Sequence, residues 1–346
     1  MTIVAMKPFL DSTDILDDAE ALRARMERDG YLFIRALLPK RLLEEVRLSW
    51  LELLCDAGCV DCDAPPAEGI ANPGGFRVEP QPQYMKLVID LYRRPQTHDI
   101  PHDPALMGVM ERLVGAPILL HPSIIARYIF PGRTAYTTPA HQDWVPIQGT
   151  EQTYTAWIPL SDVPEQMGGV QICAGSHRAG VYNFRPALGA GATQVTDELP
   201  DDWRYNPFAQ GDVLIFHSRT VHKGMPCRGR RLRLSVDARY QSAAEPVAPA
   251  SLLNHGGVDW DEIYAGWPPE AEDRKYYWKK LDLKLAAYDG QYNERRDAMA
   301  FEMAEAGDTT AISTLQRIIA RGQDEKKIDR ARRMLARLEG GPAKQV

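Results

Sequence analysis

The sequence predicts a mainly β fold, an antiparallel barrel or jelly roll with helical flanks, and three observations lead there. Between about residues 117 and 241, five stretches read as strands: 123–130 (SIIARYIF), 153–160 (TYTAWIPL), 169–176 (GVQICAGS), 212–218 (DVLIFHS) and 231–240 (RLRLSVDARY). Turns bearing Gly and Pro separate them, and no helical pattern lies between consecutive strands, which argues against a doubly wound parallel sheet. Helical periodicity is confined to the N-terminal part of the chain and to the part after residue 268.

In chain order, residues 14–28 carry Leu16, Ala19, Leu22 and Met26 at helical spacing, with Gly30 as the C-cap. Residues 31–38 (YLFIRALL) read as a strand. A second helix over 39–57 opens at Pro39, which suits a first turn, and turns Leu42, Leu43, Val46, Trp50, Leu53 and Leu54 inward. Residues 63–83 form a Pro- and Gly-dense loop that is either a lid over a site or a solvated connector. Helical stretches follow at 84–92 and 104–114. After the strands, residues 254–267 are mixed loop. From Pro268 the pattern turns helical, and 309–320 and 325–338 form a helical pair joined by RGQD. Its apolar stripes (Ile312, Leu315, Ile318 and Ile319; Ile328, Ala331, Met334, Leu335 and Leu338) dock on the barrel or on a second copy. The division is a strand-bearing core domain over 1–245 and a mostly helical extension over 246–346, with the candidate chemistry ending near Pro246.

The chain has 346 residues and a net charge of −6, so it can bury a core and has no basic field for nucleic acid. It contains no apolar run long enough to span a membrane, and residues 1–13 hold no sustained apolar segment of the secretory kind. Five cysteines in so long a chain do not make a disulfide framework. These features point to a cytoplasmic protein, monomer or homodimer, acting on a small molecule.

The chemistry centres on residues 137–150 (TTPAHQDWVPIQGT), where His141 and Asp143 stand i, i+2. On an extended chain residues two apart share a face. An imidazole and a carboxylate there supply two corners of a 2-His-1-carboxylate triad for non-heme Fe(II), which leaves coordination positions open. His217 and His222 compete for the third corner. His217 sits inside the apolar strand VLIFHS and reads as a structural histidine, whereas His222 lies beyond the strand end, where ligands are presented. Arg233 and Ser235 then share a face of the last strand with Arg231. An arginine fork can take a carboxylate bidentately, although such a row can equally face solvent.

The order H-x-D, then G-G-x5-G-S-H (168–177), then G-D-x3-F-H (211–217), then a distal His with an Arg eleven residues on, resembles the phytanoyl-CoA dioxygenase family. The segment DGYLFIRALLPKRLLEEVR resembles the opening of that family, and the resemblance covers residues 15–245. It implies a double-stranded β-helix (jelly-roll, cupin-like) core. His141, Asp143 and His222 match the iron ligands, Arg233 matches the arginine on the distal carboxylate of 2-oxoglutarate, and Ser235 supports it. The implied reaction consumes O2 and 2-oxoglutarate, releases succinate and CO2, and hydroxylates an unactivated C–H of a small metabolite, as in secondary metabolism. Halogenases of similar type carry a small residue in place of the carboxylate, so Asp143 favours hydroxylation, with desaturation or ring formation as alternatives. Trp144, Trp157, Arg127, Tyr128 and Arg239 are candidate pocket residues, each with an ordinary reading as core or strand surface. Arg127 stands near where the family often has a lysine for the co-substrate.

Rival readings compete. A barrel that binds a metal or ligand without turnover is the non-enzyme alternative, and it has no need of His141, Asp143, His222 and Arg233 together. Cys55, Cys59 and Cys62 (C-x3-C-x2-C) have the spacing of a radical SAM cluster motif, but they follow a helix and no β/α alternation comes after. The same spacing suits a surface zinc site, or three plain free thiols, and free thiols are preferred. GAGATQ (189–194) has Gln194 where a dinucleotide loop needs its third Gly. His98, Asp99, His102 and Asp103 read as surface capping before a helix.

Overall fold

The structure, a computed structural model, describes residues 6–187, 193–322 and 324–340. Residues 1–5 of the N-terminal segment, most of the GAGATQ stretch and Gln323 of the RGQD link lie outside the described residues. The N-terminal helices are α1 (Ala19–Asp29), α2 (Lys40–Asp56), α3 (Pro82–Tyr92), α4 (Pro95–Asp99) and α5 (Pro104–Val114). The strands are β1 (Tyr31–Ile34), β2 (Ile118–Leu120), β3 (Ile125–Ile129), β4 (Tyr154–Pro159), β5 (Val170–Cys173), β6 (Phe184–Pro186), β7 (Thr193–Val195), β8 (Trp203–Arg204), β9 (Val213–His217), β10 (His222–Gly224) and β11 (Arg233–Ser242). Between β3 and β4 lies α6 (Trp144–Ile147), and after β11 come α7 (Trp260–Tyr264), α8 (Gln291–Glu305), α9 (Ile312–Arg321) and α10 (Glu325–Gly340).

The larger sheet runs β1–β9–β4–β11–β2, with β3 also paired to β11. A smaller sheet runs β10–β5–β8, and β6 pairs with β7. All these pairings are antiparallel, as expected for strands joined by turns. One face of the large sheet packs on the N-terminal helices, joining Val236 and Tyr240 of β11 to Trp50 of α2 and Val88 of α3. The other face joins Phe33, Trp157 and Phe216 to Val170 and Ile172 of the smaller sheet. The two sheets therefore enclose an interior, and β1, β4, β9 and most of β11 are buried on both faces.

The first helix ends where the sequence suggests but starts at Ala19 rather than at residue 14, after a short 3-10 turn over Thr13–Ile15. Asp18 caps α1 by accepting from the backbone N–H of Glu20 and Ala21, and Asp103 caps α5. Gly30 closes α1 at φ 76°, and a Cβ there would come 2.4 Å from His177 Nδ1. Both the turn and the close approach require glycine, which ties the DGY segment to the G-S-H segment. The expected 31–38 strand ends early, at Ile34, because the chain turns at Ala36 (φ 47°) to enter α2.

Three expectations need correction. Cys55 and Cys62 are joined as a disulfide, because α2 ends at Asp56 and the chain folds straight back with Gly58 at φ 72°. Cys59 alone of the three is a free thiol, buried, with Arg77 Nη1 2.7 Å from its sulfur. This arrangement fits neither a cluster motif nor three free thiols. His98 is not a surface cap: it is buried, with Nε2 2.9 Å from the carbonyl of Tyr92, while Asp103 does cap. After Pro268 the chain makes short 3-10 turns and irregular backbone up to α8 rather than a continuous helix. The expected C-terminal pair is present as α9 and α10, with α8 as a third helix. Their stripes meet one another around Phe301, Leu315, Ile318 and Ala331, and α8 and α9 also touch β6 and α3.

Asp212 explains the G-D pair that precedes β9. Its buried carboxylate accepts from the backbone N–H of Ala36 and Ala209 and from Arg35. Asp212→Ala removes the acceptor of two backbone N–H groups and the buried partner of Arg35, at a cost of roughly 1–3 kcal/mol. Urea unfolding should show that loss, and Asp212→Asn should lose less, since it keeps one acceptor oxygen.

Candidate metal centre

Strand β11 alternates strictly between two environments. Leu234, Val236, Ala238 and Tyr240 enter the main core, while Arg233, Ser235, Asp237 and Arg239 face the interior between the sheets, all buried. The register adds neighbours to that polar face: Arg127 of β3 stands opposite Ser235, Trp157 of β4 opposite Asp237, and Thr155 opposite Arg239. His141, Asp143 and His222 converge beside it.

Their convergence differs from the simple extended-chain reading. His141 and His222 exchange both backbone hydrogen bonds (2.9 and 3.0 Å), so the two segments pair at that point. His222 lies beyond the end of β9, as expected, and opens β10, opposite Ile172 of β5. Asp143 is helical (φ −63°, ψ −27°) and precedes α6, yet its side chain does not cap that helix. The turn swings the carboxylate back toward the imidazoles instead. Nε2 of His141 and Nε2 of His222 each lie 3.7 Å from Asp143 Oδ1.

The donor set suits a divalent transition metal. Nδ1 of His141 lies 2.8 Å from the carbonyl of Pro139, and Nδ1 of His222 lies 3.0 Å from that of Thr220. A ring nitrogen facing a carbonyl carries the proton, which leaves the Nε2 lone pairs facing Asp143. Burial, then the neighbouring His222, pushes His141 down to about 3, so it stays neutral and able to ligate. Burial opposes ionisation of Asp143, but Arg239 and the two imidazoles hold it well below the usual carboxylate range. Thr155 Oγ1 donates to Asp143 Oδ2 at 2.7 Å and Arg239 Nη2 lies 3.5 Å from the same oxygen, which leaves Oδ1 for a metal. The three ligand atoms lie within 4.8 Å of one another and form the only such His/Cys/Asp/Glu cluster among the described residues. Two imidazoles and one carboxylate fit Fe(II) and leave positions open toward the cavity.

Arg233 opens onto the same cavity as His141, Asp143 and His222. Nη1 donates to the carbonyl of Gly168 at 2.7 Å, and Nε is buried without a partner. Among the described residues no carboxylate pairs with it, and burial lowers its pKa from the ordinary value. A dry, unpaired guanidinium is costly, so the site fits an anionic ligand from outside. Position 168 requires glycine: at φ 67° a Cβ would lie 2.5 Å from the carbonyl of Met225. Ser235 Oγ, on the same face, is also buried and unpartnered. Arg231 is exposed and outside β11, so it is not an alternative clamp.

The remaining candidates divide. Trp157 and Arg127 line the triad cavity. Arg127 is held by Asp237 and Glu79, each at 2.8 Å, and is therefore not free to hold a co-substrate. Arg239 lines an adjoining cavity together with Asp143. Tyr128 points to the opposite face of β3 and stacks on Tyr84, centroids 4.4 Å apart. Trp144 opens α6, with its indole N–H buried and unpartnered. His217 is structural, as its strand suggested: its Nδ1 accepts from the N–H of Arg219, and its ring lies beside His177 and Tyr154.

The sequence reading missed Thr155, Glu79 and Asp237. It also missed that the chain beyond Pro246 reaches the site. The adjoining cavity, about 290 Å³, is lined in part by Leu253, Asn254, His255, Tyr288 and Arg296, all past the point where the chemistry was expected to end. Thr155 had one signal, the alternation that puts it on the face of Trp157; the others depend on tertiary pairing.

Comparison with known proteins identifies the family. The family described as "Phytanoyl-CoA dioxygenase (PhyH)" matches residues 26–235. The "1-deoxypentalenic acid 11-beta-hydroxylase" of Streptomyces exfoliatus is 28% identical over 284 residues, covering 78% of this chain and 93% of that protein. The protein of the same description from Streptomyces arenae is 28% identical over 283 residues, covering 77% and 92%. Among solved structures, the non-heme alpha ketoglutarate dependent epimerase SnoN from nogalamycin biosynthesis aligns with a TM-score of 0.47 at 18% identity, over 78% of this chain and 94% of that one. With the family matched over more than half of its length, the chain belongs to the phytanoyl-CoA dioxygenase family.

Proposed function

We propose that this enzyme is an Fe(II)- and 2-oxoglutarate-dependent hydroxylase of a small molecule of secondary metabolism, built on a double-stranded β-helix core. The observation that carries the reading is the pairing, in one buried cavity, of two imidazoles and a carboxylate with a guanidinium that lacks a carboxylate partner. His141, Asp143 and His222 would hold the iron. Arg233 would receive the distal carboxylate of 2-oxoglutarate, with Ser235 donating beside it. Bound together with O2, iron and 2-oxoglutarate supply the oxidising power for C–H hydroxylation, with succinate and CO2 as co-products.

The chain's own residues prepare that chemistry. The carbonyls of Pro139 and Thr220 fix the two imidazoles in the ligating tautomer. Thr155 and Arg239 hold one oxygen of Asp143 so that the other faces the imidazoles. Trp157 and Val170 give the cavity an apolar side. The relatives' named substrate, a carboxylic acid, supports a small-molecule substrate here. Residues 1–245 form the oxygenase domain in this reading, and residues 246–346 an extension that completes its pocket.

The first experiment is anaerobic addition of Fe(II), then 2-oxoglutarate, to metal-free protein. A weak visible charge-transfer band that requires both is expected; its absence in protein with intact fold would overturn the assignment. His141→Ala and Asp143→Ala should abolish iron binding and turnover while leaving the far-UV circular dichroism unchanged. Arg233→Ala should raise the 2-oxoglutarate concentration needed for half-saturation by about 10- to 100-fold, the loss of a charge-assisted hydrogen-bond pair. Thr155→Val should weaken iron binding by about 10- to 100-fold, as for other groups that orient a metal ligand, measured by competition with a chelator.

A further inference from the structure

Asp143 lines the triad cavity and also the adjoining cavity of about 290 Å³, so a molecule in the second borders the metal centre. Eleven of the sixteen residues that line this second cavity are polar, so it is not built for a plain hydrocarbon. Several of these polar groups are engaged within the chain. Arg127 is held by Glu79 and Asp237, His255 stands 3.2 Å from Glu79, and Asn254 bonds to the backbone of Val258. Two buried atoms on the sheet wall are not engaged: Nδ1 of His121 and Nε of Arg239. A buried polar atom without a partner is uncommon in a folded protein and costs free energy until something pairs with it.

His121 follows β2 directly, and its N–H donates to the carbonyl of Arg239 at 2.8 Å, one step beyond the pairing of Leu120 with Tyr240. Leu120 and Tyr240 enter the main core, so alternation turns His121 to the interior face that carries Arg239 and Gln241. There Gln241 fixes the tautomer. Its Nε2 faces the carbonyls of Ser242, Glu245 and Pro246 at 3.3, 3.1 and 3.2 Å, which only a donor can satisfy. Its Oε1 therefore faces His121 Nε2, 2.8 Å away, and an amide oxygen only accepts, so Nε2 carries the proton. Nδ1 is left with a bare lone pair. Burial pushes the ring down to about 4, so it stays neutral near pH 7. Arg239 directs Nη2 to Asp143 and keeps Nε as an N–H donor.

Resting on the hydroxylase reading above, we propose that the substrate carries an alcohol hydroxyl that donates to Nδ1 of His121 and accepts from Nε of Arg239, and that this pair selects the substrate and sets which of its carbons reaches the metal. An acceptor and a donor on one wall match a hydroxyl, which both gives and takes a hydrogen bond. A carboxylate has no proton for the Nδ1 lone pair, and an ammonium has no acceptor for Nε. His121 is thus a specificity residue that does not touch the reacting atoms. The cavity lies at the small end of ligand sites, which fits a compact alcohol.

The test uses full-length protein loaded anaerobically with Fe(II) and saturating 2-oxoglutarate. The charge-transfer band is recorded first on each sample, so failure of the cofactor reading shows as a missing band and is told apart from failure of this inference. Borneol and cyclohexanol are then titrated calorimetrically against camphor and cyclohexanone, ketones of matching shape that accept but cannot donate. The alcohols should bind at least about tenfold tighter, because a ketone leaves the Nδ1 lone pair unpaired. His121→Phe should remove that preference and leave the band in place. In protein with isotope-labelled histidine nitrogens and Zn(II) in place of iron, the Nδ1 resonance of His121 should read as unprotonated, and it should move with borneol but not with camphor. If His121→Phe fails to fold, the titration and the resonance of the unsubstituted protein decide. Equal binding of alcohol and ketone, binding of neither, an alcohol preference that survives His121→Phe, or a protonated Nδ1 in the free protein would overturn the proposal.

Discussion

A charged side chain in a dry interior must meet an opposite charge, and β11 directs Arg233, Asp237 and Arg239 into such an interior. Much of the site can be understood as the set of answers. Asp237 meets Arg127 from the neighbouring strand, and Arg127 draws in Glu79 from the Pro-rich loop. Glu79 in turn meets His255 from the chain after the sheet. Arg239 meets Asp143 and so helps to aim the carboxylate at the two histidines. Of the three, Arg233 alone is answered only by backbone carbonyls, which leaves its charge without a carboxylate partner among the described residues.

The same network explains the role of the 63–83 segment, whose composition fits a lid and a connector equally well. In the structure Ile70 pairs with Arg231 beside the start of β11, and Glu79 reaches the interior through Arg127. It is a strap anchored at both ends of the site by hydrogen bonds and charge. Phe76, which stacks edge-on against Phe130 at 5.5 Å, adds apolar contact between those anchors.

The parts of the site that were legible in the sequence are those that local chemistry determines. His141, Asp143 and His222 stand out because few side chains ligate iron, and the choice of His222 over His217 follows from one lying inside an apolar strand. Helix ends were legible at Gly30 and Asp103, whereas the start of α1 was expected at residue 14 and lies at Ala19, after the cap Asp18. Strand order was not legible. That Thr155 faces Arg239, or that Arg127 faces Ser235, depends on β4 and β3 flanking β11, and strand periodicity carries no information about neighbours. The backbone of Asp143 is a finer case: the i, i+2 spacing suggested an extended segment, whereas the carboxylate is aimed by a helical turn. The reach of Leu253, Tyr288 and Arg296 into the cavity was hidden for the same reason, since nothing in an irregular segment announces which surface it will cover.

The two imidazoles are oriented by main-chain carbonyls, those of Pro139 and Thr220, whereas the carboxylate is oriented by the side chains of Thr155 and Arg239. Carbonyl groups persist through any substitution, so drift in the surrounding sequence leaves the histidine half of the centre untouched. Heritable fragility is concentrated on the carboxylate half, where two ordinary codon changes suffice to disturb a ligand they never replace. A substitution at Thr155 or Arg239 would therefore loosen the acidic corner while leaving the main-chain acceptors of both imidazoles in place.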